Sequence, residues 1–346
     1  MQSFLQQSGI FLNQLILDEP GAIVGPISVV LGAIINFIYN AWSFITPVGA
    51  LGVSIIIMTI IVRMALLPTS FKMVSNSMKM RDMKPEMDKI KEKYGNTKDP
   101  ELRRKMQAEI QALNSKHGVN MLASCLPMLI TWPLFLGLFS VLNQAFLFVG
   151  NVGDAYTVLS QALIDLGPDF LRNSGIAEIA AQRTPAGMLV NLDDVSFMNK
   201  LIHVLSPADW GVIFAQVPAN ELANIQNLFN QKESILTFLT LNLVAQAGTA
   251  WPGILLPILS AGTMLLSQYL MTKTNPAMDE QSKNMQKVMM FIFPIMFGFF
   301  TIQAPAGVGL YWVMLNVVMT VQHYFITKYY TKKNENNKNS NAGAKA

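Results

Sequence analysis

Acidic residues are missing from four long stretches of this chain, and those stretches hold all of its long hydrophobic runs. No Asp or Glu lies between Glu19 and Asp82, Glu109 and Asp154, Glu233 and Asp279, or Glu280 and Glu335. About 20 consecutive apolar residues suffice for a helix to cross roughly 30 Å of hydrocarbon. Composition agrees: 51% of the 346 residues are hydrophobic and 13% charged, whereas soluble domains carry about 25% charged residues. Mean hydropathy is +0.35. The expected fold class is an all-α polytopic membrane protein.

Five runs are long enough to span, near residues 48–67, 121–146, 251–271, 288–303 and 306–327. The fourth is the shortest. Pro26 to Trp42 is also apolar, but Gly32 and Asn36 break it and Phe37, Tyr39 and Trp42 gather at one end. It reads as an interfacial helix within an N-terminal segment 1–47 rather than as a further span. The N-terminus lacks the basic start and short apolar core of a cleaved signal peptide, and it is not Arg-rich like a transit peptide. A bacterial plasma-membrane chain delivered by its own spans is expected.

Lys and Arg set the orientation, because they concentrate on the cytoplasmic side. Residues 1–62 contain neither, while Arg63, Lys72, Lys79, Arg81, Lys84, Lys89 and Lys91 open a densely basic segment that continues to Lys116. The 147–250 segment has only Arg172, Arg183, Lys200 and Lys232, against nine acidic residues. The 272–287 loop and the 328–346 tail are basic again. This places the N-terminus outside and the C-terminus in the cytoplasm.

Residues 68–120 read as a cytoplasmic helical hairpin. Met80, Met83, Met87, Ile90 and Tyr94 recur at three- and four-residue steps and form one apolar stripe. Pro85 predicts a kink or a fresh helix start, and Gly95-Asn96 supplies a turn. Asp99 caps a second helix with Pro100 at its first position, and Leu102, Met106, Ile110 and Leu113 form the matching stripe. The basic, Met-rich surface is a candidate docking face; a solvated spacer is the plainer alternative. In the outer segment, 147–250, Ser206-Pro207-Ala208-Asp209 resembles a capping box opening a helix through Trp210 and Phe214, and 219–231 reads as helical. This segment is either a small folded cap or a loose loop.

Polar residues inside the runs are the candidate site. Ser260, Thr263 and Ser267, with Gln268 adjacent, recur at helical steps, as do Asn316, Thr320 and His323. Interhelical hydrogen bonding is their ordinary use. Arg63 is different. A charge at mid-helix costs roughly 2.5–3.5 kcal/mol on insertion scales, and no span offers it a carboxylate. Either it snorkels to the cytoplasmic interface, about 6 Å along the helix from Leu67, or it faces a wet cavity.

Other chemistries find little support. Cys125 is the only cysteine, and His117, His203 and His323 lack metal-ligand spacing. An intramembrane protease would need a nucleophile with a base, paired aspartates or a zinc motif. No GxxxxGK[ST] signature is present, so neither a nucleotide nor any other cofactor is expected, and the chain does not read as an enzyme. A small-solute or ion transporter is the competing class, although internal symmetry is not evident.

In combination, several stretches resemble the YidC-type membrane-protein insertase family. They are Ser54-Ile55-Ile56-Ile57 through Arg63 and Leu67-Pro68, then Cys125-Leu126-Pro127-Met128-Leu129-Ile130 with Pro133, then Leu255-Leu256-Pro257-Ile258-Leu259 through Gln268. Met290-Phe291-Ile292-Phe293-Pro294, Pro305-Ala306-Gly307, Leu310-Tyr311-Trp312-Val313 and Asn316 complete the match over roughly 25–146 and 251–330. The resemblance implies a five-transmembrane-helix core around a hydrophilic groove open to cytoplasm and lipid. It places Arg63, Gln268, Tyr311, Trp312 and Asn316 among the groove residues. The implied partners are nascent membrane proteins and the lipid bilayer, with a ribosome and a Sec translocon as candidates and no sequence-specific nucleic-acid binding. The outer loop is longer than the family pattern suggests, and no cysteine near the N-terminus offers a lipoprotein anchor.

Overall fold

The computed structural model of the chain describes residues 24–95, 99–119, 126–183, 190–274, 284 and 286–343. The expectations placed on residues 1–23, on Asn96, on Cys125 with the start of the second run, and on most of the 272–287 loop lie outside the described residues. The described chain is mostly helical. It departs from the all-α expectation in one short antiparallel pair, Thr237–Phe238 with Leu241–Asn242, and in a single bridge between Gln246 and Pro305. By length and composition two described helices could cross a membrane, Val24–Ser43 and Leu255–Lys273. A third candidate is Ala50–Ala65 joined to Leu67–Tyr94 through a 58° bend, and Ile130–Asn143 and Val288–Gln303 are shorter apolar helices.

The chain divides into two compact units. The first comprises Met1–Met58, Pro133–Ile254 and Thr301–Leu310. Its centre is the helix Gly150–Ile164, whose buried Val152, Tyr156, Leu159 and Leu163 recur at steps of four, three and four. That spacing lays them along one face, and burying each such side chain stabilises by about 1.5–3 kcal/mol. This face meets Ala219–Leu236 and Val195–Val204. The capping box forms: Ser206 Oγ accepts from Asp209 N–H at 3.2 Å and Asp209 Oδ2 accepts from Ser206 N–H at 2.7 Å, with Pro207 in the first helical position. Val24–Ser43 belongs to this unit and packs closely where glycine permits. A Cβ on Gly137 would lie 2.7 Å from Ile27 Cγ2, and one on Gly32 would meet the Phe148 ring at 2.5 Å.

Lys232 is the unusual member of this core, only 4% exposed. Its Nζ lies 4.9 Å from the Phe229 ring centre and 5.5 Å from those of Tyr156 and Trp210. Glu233 Oε1 accepts from it at 2.7 Å, and Glu233 Oε2 accepts from Asn242 Nδ2 at 2.7 Å. Burial lowers the Lys232 pKa, and Glu233 opposes that shift. Close by, the Tyr156 hydroxyl hydrogen-bonds His203 Nδ1 at 3.1 Å. Burial, reinforced by the Lys232 charge, pushes the imidazole down to about 4.

In the second unit, Thr59–Trp132, Leu255–Phe300 and Tyr311–Ala346, Leu67–Tyr94 and Pro100–Lys116 pack together around Met83, Met87, Leu113 and Val119. Glu109 accepts from Lys93 and Tyr94, and Glu86 pairs with Lys116 and His117. Asp99 caps the second helix by accepting from Glu101 N–H at 2.9 Å. Pro85 starts no new helix, because Leu67–Tyr94 runs unbroken through it. Its neighbours Met83 and Met87 are held in the same core on either side, which offsets the one lost backbone bond. Further along, Val288–Ile292 is a π-helical turn leading into Phe293–Gln303. Pro294 cannot donate to the preceding turn, and a widened turn is one way a helix accommodates that loss.

Two outcomes follow for the first unit. Glu233→Leu leaves Lys232 buried without its carboxylate and should cost about 3 kcal/mol, whereas Lys232→Met should change stability by less than about 1 kcal/mol. Chemical denaturation monitored by protease resistance of residues 150–236 distinguishes the two. Because the His203 pKa is depressed in the folded state, its stabilisation is complete above the ordinary histidine value of about 6.5 and is lost as pH falls toward 4. The melting temperature of this unit should fall over that window, and His203→Gln should flatten the dependence.

Candidate functional site

Arg63 stands in the last turn of Ala50–Ala65 and is 6% exposed. Its Nη2 donates to Gln322 Oε1 at 2.8 Å, and Gln322 Nε2 donates back to the Arg63 carbonyl at 3.1 Å. One amide therefore holds both the head and the backbone of the arginine. Gln322 is itself buried, on Ala306–Gly343. Among the described residues Arg63 makes no ion pair, and its buried Nε–H finds no acceptor. The guanidinium is thus positioned without being neutralised. Tyr311, also buried, lies within electrostatic range of it.

The other expected site residues spread along the same unit. Trp312 is buried, packing edge-on against Phe297 at 4.8 Å and at a tilt against Phe300 at 5.5 Å. Asn316 Nδ2 donates to Thr263 Oγ1 at 3.3 Å, and Thr263 in turn donates to the Leu259 carbonyl at 2.6 Å. This is the interhelical polar contact expected of such residues. Gln268 is half-buried on Leu255–Thr274, and among the described residues no hydrogen bond joins it to Arg63 or Asn316. Tyr311 lies within electrostatic range of Arg63, Asn316 bonds Thr263, and Trp312 sits in an aromatic cluster.

Gln322 is the member that sequence reasoning missed. The face defined by Asn316, Thr320 and His323 passes beside it, because two residues beyond Thr320 a helix has turned about 200°. Its only signal was an amide in an acid-free apolar run. Close helix approach also contributes to the site's frame: a Cβ on Gly298 would lie 3.2 Å from Ala261 Cβ and 3.4 Å from the Pro257 carbonyl.

Long apolar helices bearing a buried, amide-held arginine define a helical membrane protein with a polar site set among its apolar elements. A family model described as the 60Kd inner membrane protein matches residues 43–334, and the chain belongs to that family. It is similar to Membrane protein insertase YidC 1 of Halalkalibacterium halodurans, 27% identical over 280 residues covering 81% of this chain and 70% of that protein. It is likewise similar to Membrane protein insertase MisCA of Bacillus subtilis, 27% identical over 82% of this chain and 72% of that protein. Inner membrane protein ALBINO3, chloroplastic, of Arabidopsis thaliana is 24% identical over 90% of this chain and 54% of its own length.

Removing the amide should leave a buried guanidinium hydrogen and the Arg63 carbonyl without partners. Gln322→Leu should therefore lower thermal stability by about 1–3 kcal/mol. Adding Arg63→Leu should recover part of that loss, a non-additivity measured by the double-mutant cycle.

Proposed function

We propose that this chain is a membrane-protein insertase that receives nascent hydrophobic segments at a polar groove and releases them into the bilayer without hydrolysing a nucleotide. The single observation that carries the reading is a buried guanidinium held by an amide instead of a carboxylate. It keeps its charge and, among the described residues, gives one of its five N–H donors to Gln322, which leaves its other terminal N–H groups for a visiting acidic or carbonyl group. Low local dielectric strengthens such an attraction relative to water. Family membership supports the same reading, since relatives carry the name membrane protein insertase.

In this proposal five spans form the core, and Val24–Ser43 lies at the outer interface beside the 147–250 cap. The 67–116 hairpin, exposed and basic, meets clients in the cytoplasm. Gln268, Trp312 and Asn316 border the client path, with Tyr311 beside Arg63. Partitioning of the client helix into lipid supplies the driving force, about 25 cal/mol per Å² of apolar surface removed from water. The chain resides in a bacterial plasma membrane with its N-terminus outside and its C-terminus inside. A ribosome and a Sec translocon are candidate partners through the cytoplasmic surfaces.

Reconstitution in liposomes with a single-span client bearing an acidic N-terminal segment tests the role of the charge. Arg63→Ala should reduce insertion of that client by tenfold or so, the equivalent of about 1.4 kcal/mol, while Arg63→Lys retains part of it. Gln322→Glu, which places a counter-ion on the guanidinium, should reduce insertion of the acidic client more than that of a neutral one. Equal insertion by wild type and Arg63→Ala removes the arginine from the mechanism.

A further inference from the structure

The turn joining Thr237–Phe238 to Leu241–Asn242 is built from Leu239 and Thr240, both left-handed at φ 47° and 70°. A two-residue hairpin turn with both central residues at positive φ favours Asn-Gly or Gly-Gly, because a Cβ there crowds the backbone. This chain instead uses a leucine and a β-branched threonine and leaves Leu239 77% exposed. In water that arrangement combines backbone strain with an uncovered apolar side chain.

The turn is fixed rather than dangling. Leu243 N–H donates to the Leu236 carbonyl at 2.9 Å and Gly307 N–H to the Leu243 carbonyl at 2.8 Å. Asn242 Oδ1 accepts from Val244 N–H at 3.1 Å, and its amide is tied to Glu233. On the other side the Phe238 ring covers Gly49 and Gly52; a Cβ on Gly49 would lie 3.3 Å from Phe238 Cδ2, and one on Gly52 would collide with the ring. The turn is therefore docked on the segment that leads into Ala50–Ala65. That segment exposes Phe44 by 91%, Ile45 by 75% and Val48 by 59%. No charged residue occurs from residue 20 to 62 or from 234 to 272. Both segments are free of charged residues, and the first continues directly into an apolar helix, although the exposed Asp154 shares a cavity with Pro47 beside them.

We propose that the Leu239–Thr240 turn is a lipid-contacting finger. With Phe44, Ile45 and Val48 it enters the headgroup–acyl boundary of the bilayer and pins the 147–250 cap to the membrane surface. Continuity with the apolar helix Ala50–Ala65 and the absence of charge within the two segments select lipid as the occupant. There Leu239 meets acyl chains while the Thr240 hydroxyl stays at headgroup level, the depth at which amphipathic anchors sit. Only the choice of the outer leaflet rests on the disposition proposed above.

The test uses the full chain in liposomes, in a Cys125→Ser background. Leu239→Cys, Phe44→Cys and, as an aqueous control on the cap, Asn220→Cys are labelled with an environment-sensitive nitrobenzoxadiazole dye. Emission at Leu239 and Phe44 should be blue-shifted relative to Asn220, quenched by lipids carrying a doxyl group near the headgroup, and protected from iodide. Thr240→Cys serves as the second tip variant where Leu239→Cys does not fold. Aqueous emission with full iodide quenching at the tip overturns the proposal. So does protection from iodide without doxyl quenching, which would mean that protein covers the finger. Insertion of the acidic client by the same unlabelled variants is measured in parallel, so that a failed lipid contact is distinguished from a failed insertase.

Discussion

The amide of Gln322 decides what Arg63 can be. A carboxylate in its place would form a closed ion pair, with both charges answered within the protein. A hydrocarbon would leave the guanidinium to pull water or backbone toward itself, at a cost of several kcal/mol. An amide does neither: its oxygen takes one guanidinium hydrogen, and its nitrogen binds the arginine's own carbonyl. The side chain is oriented, its charge survives, and the buried Nε–H remains unsatisfied. Placing that arrangement in the last turn of an apolar helix gives a fixed positive potential with which no acidic group pairs among the described residues.

The cap solves a related problem with opposite means. Lys232 is also a buried cation, but there the chain surrounds it with three aromatic faces and a carboxylate. Ring quadrupoles attract a cation most strongly once it is desolvated. Glu233 then extends the network to Asn242, and so to the base of the hairpin turn. The carboxylate that stabilises the buried charge thus also helps to hold the exposed Leu239 in place. Packing in one part of the unit fixes the surface presented by another.

How much of this could be read beforehand depends on whether the signal was local. The methionine stripes that pair Leu67–Tyr94 with Pro100–Lys116, the Asp99 cap and the Ser206–Asp209 box are short-range patterns, and each is visible within a dozen residues. Arg63 stood out because its run lacks acids. Gln322 did not, since its partner lies 259 residues away and neighbouring polar residues define a different face. Tyr156, Trp210 and Phe229 are ordinary aromatics until the fold gathers them around Lys232. The Leu239–Thr240 turn carries none of the Gly or Asn chemistry that marks turns in sequence. At Pro85 the local rule allows a kink or a fresh helix start, and of these the fresh start does not occur, because the helix continues with Met83 and Met87 packed on either side.

The hairpin interior has a consequence of its own. Met83 and Met87 are almost fully buried there, with Met80 beside them. Thioethers are flexible and polarisable, so such an interface can slide in register without opening a void. They are also oxidisable, and a sulfoxide at Met83 would bring a polar, chiral oxygen into a space lined by Leu113 and Val119. A change at that sulfur would therefore loosen this pair of helices from within, leaving the Lys93–Glu109 and Lys116–Glu86 pairs on the surface untouched.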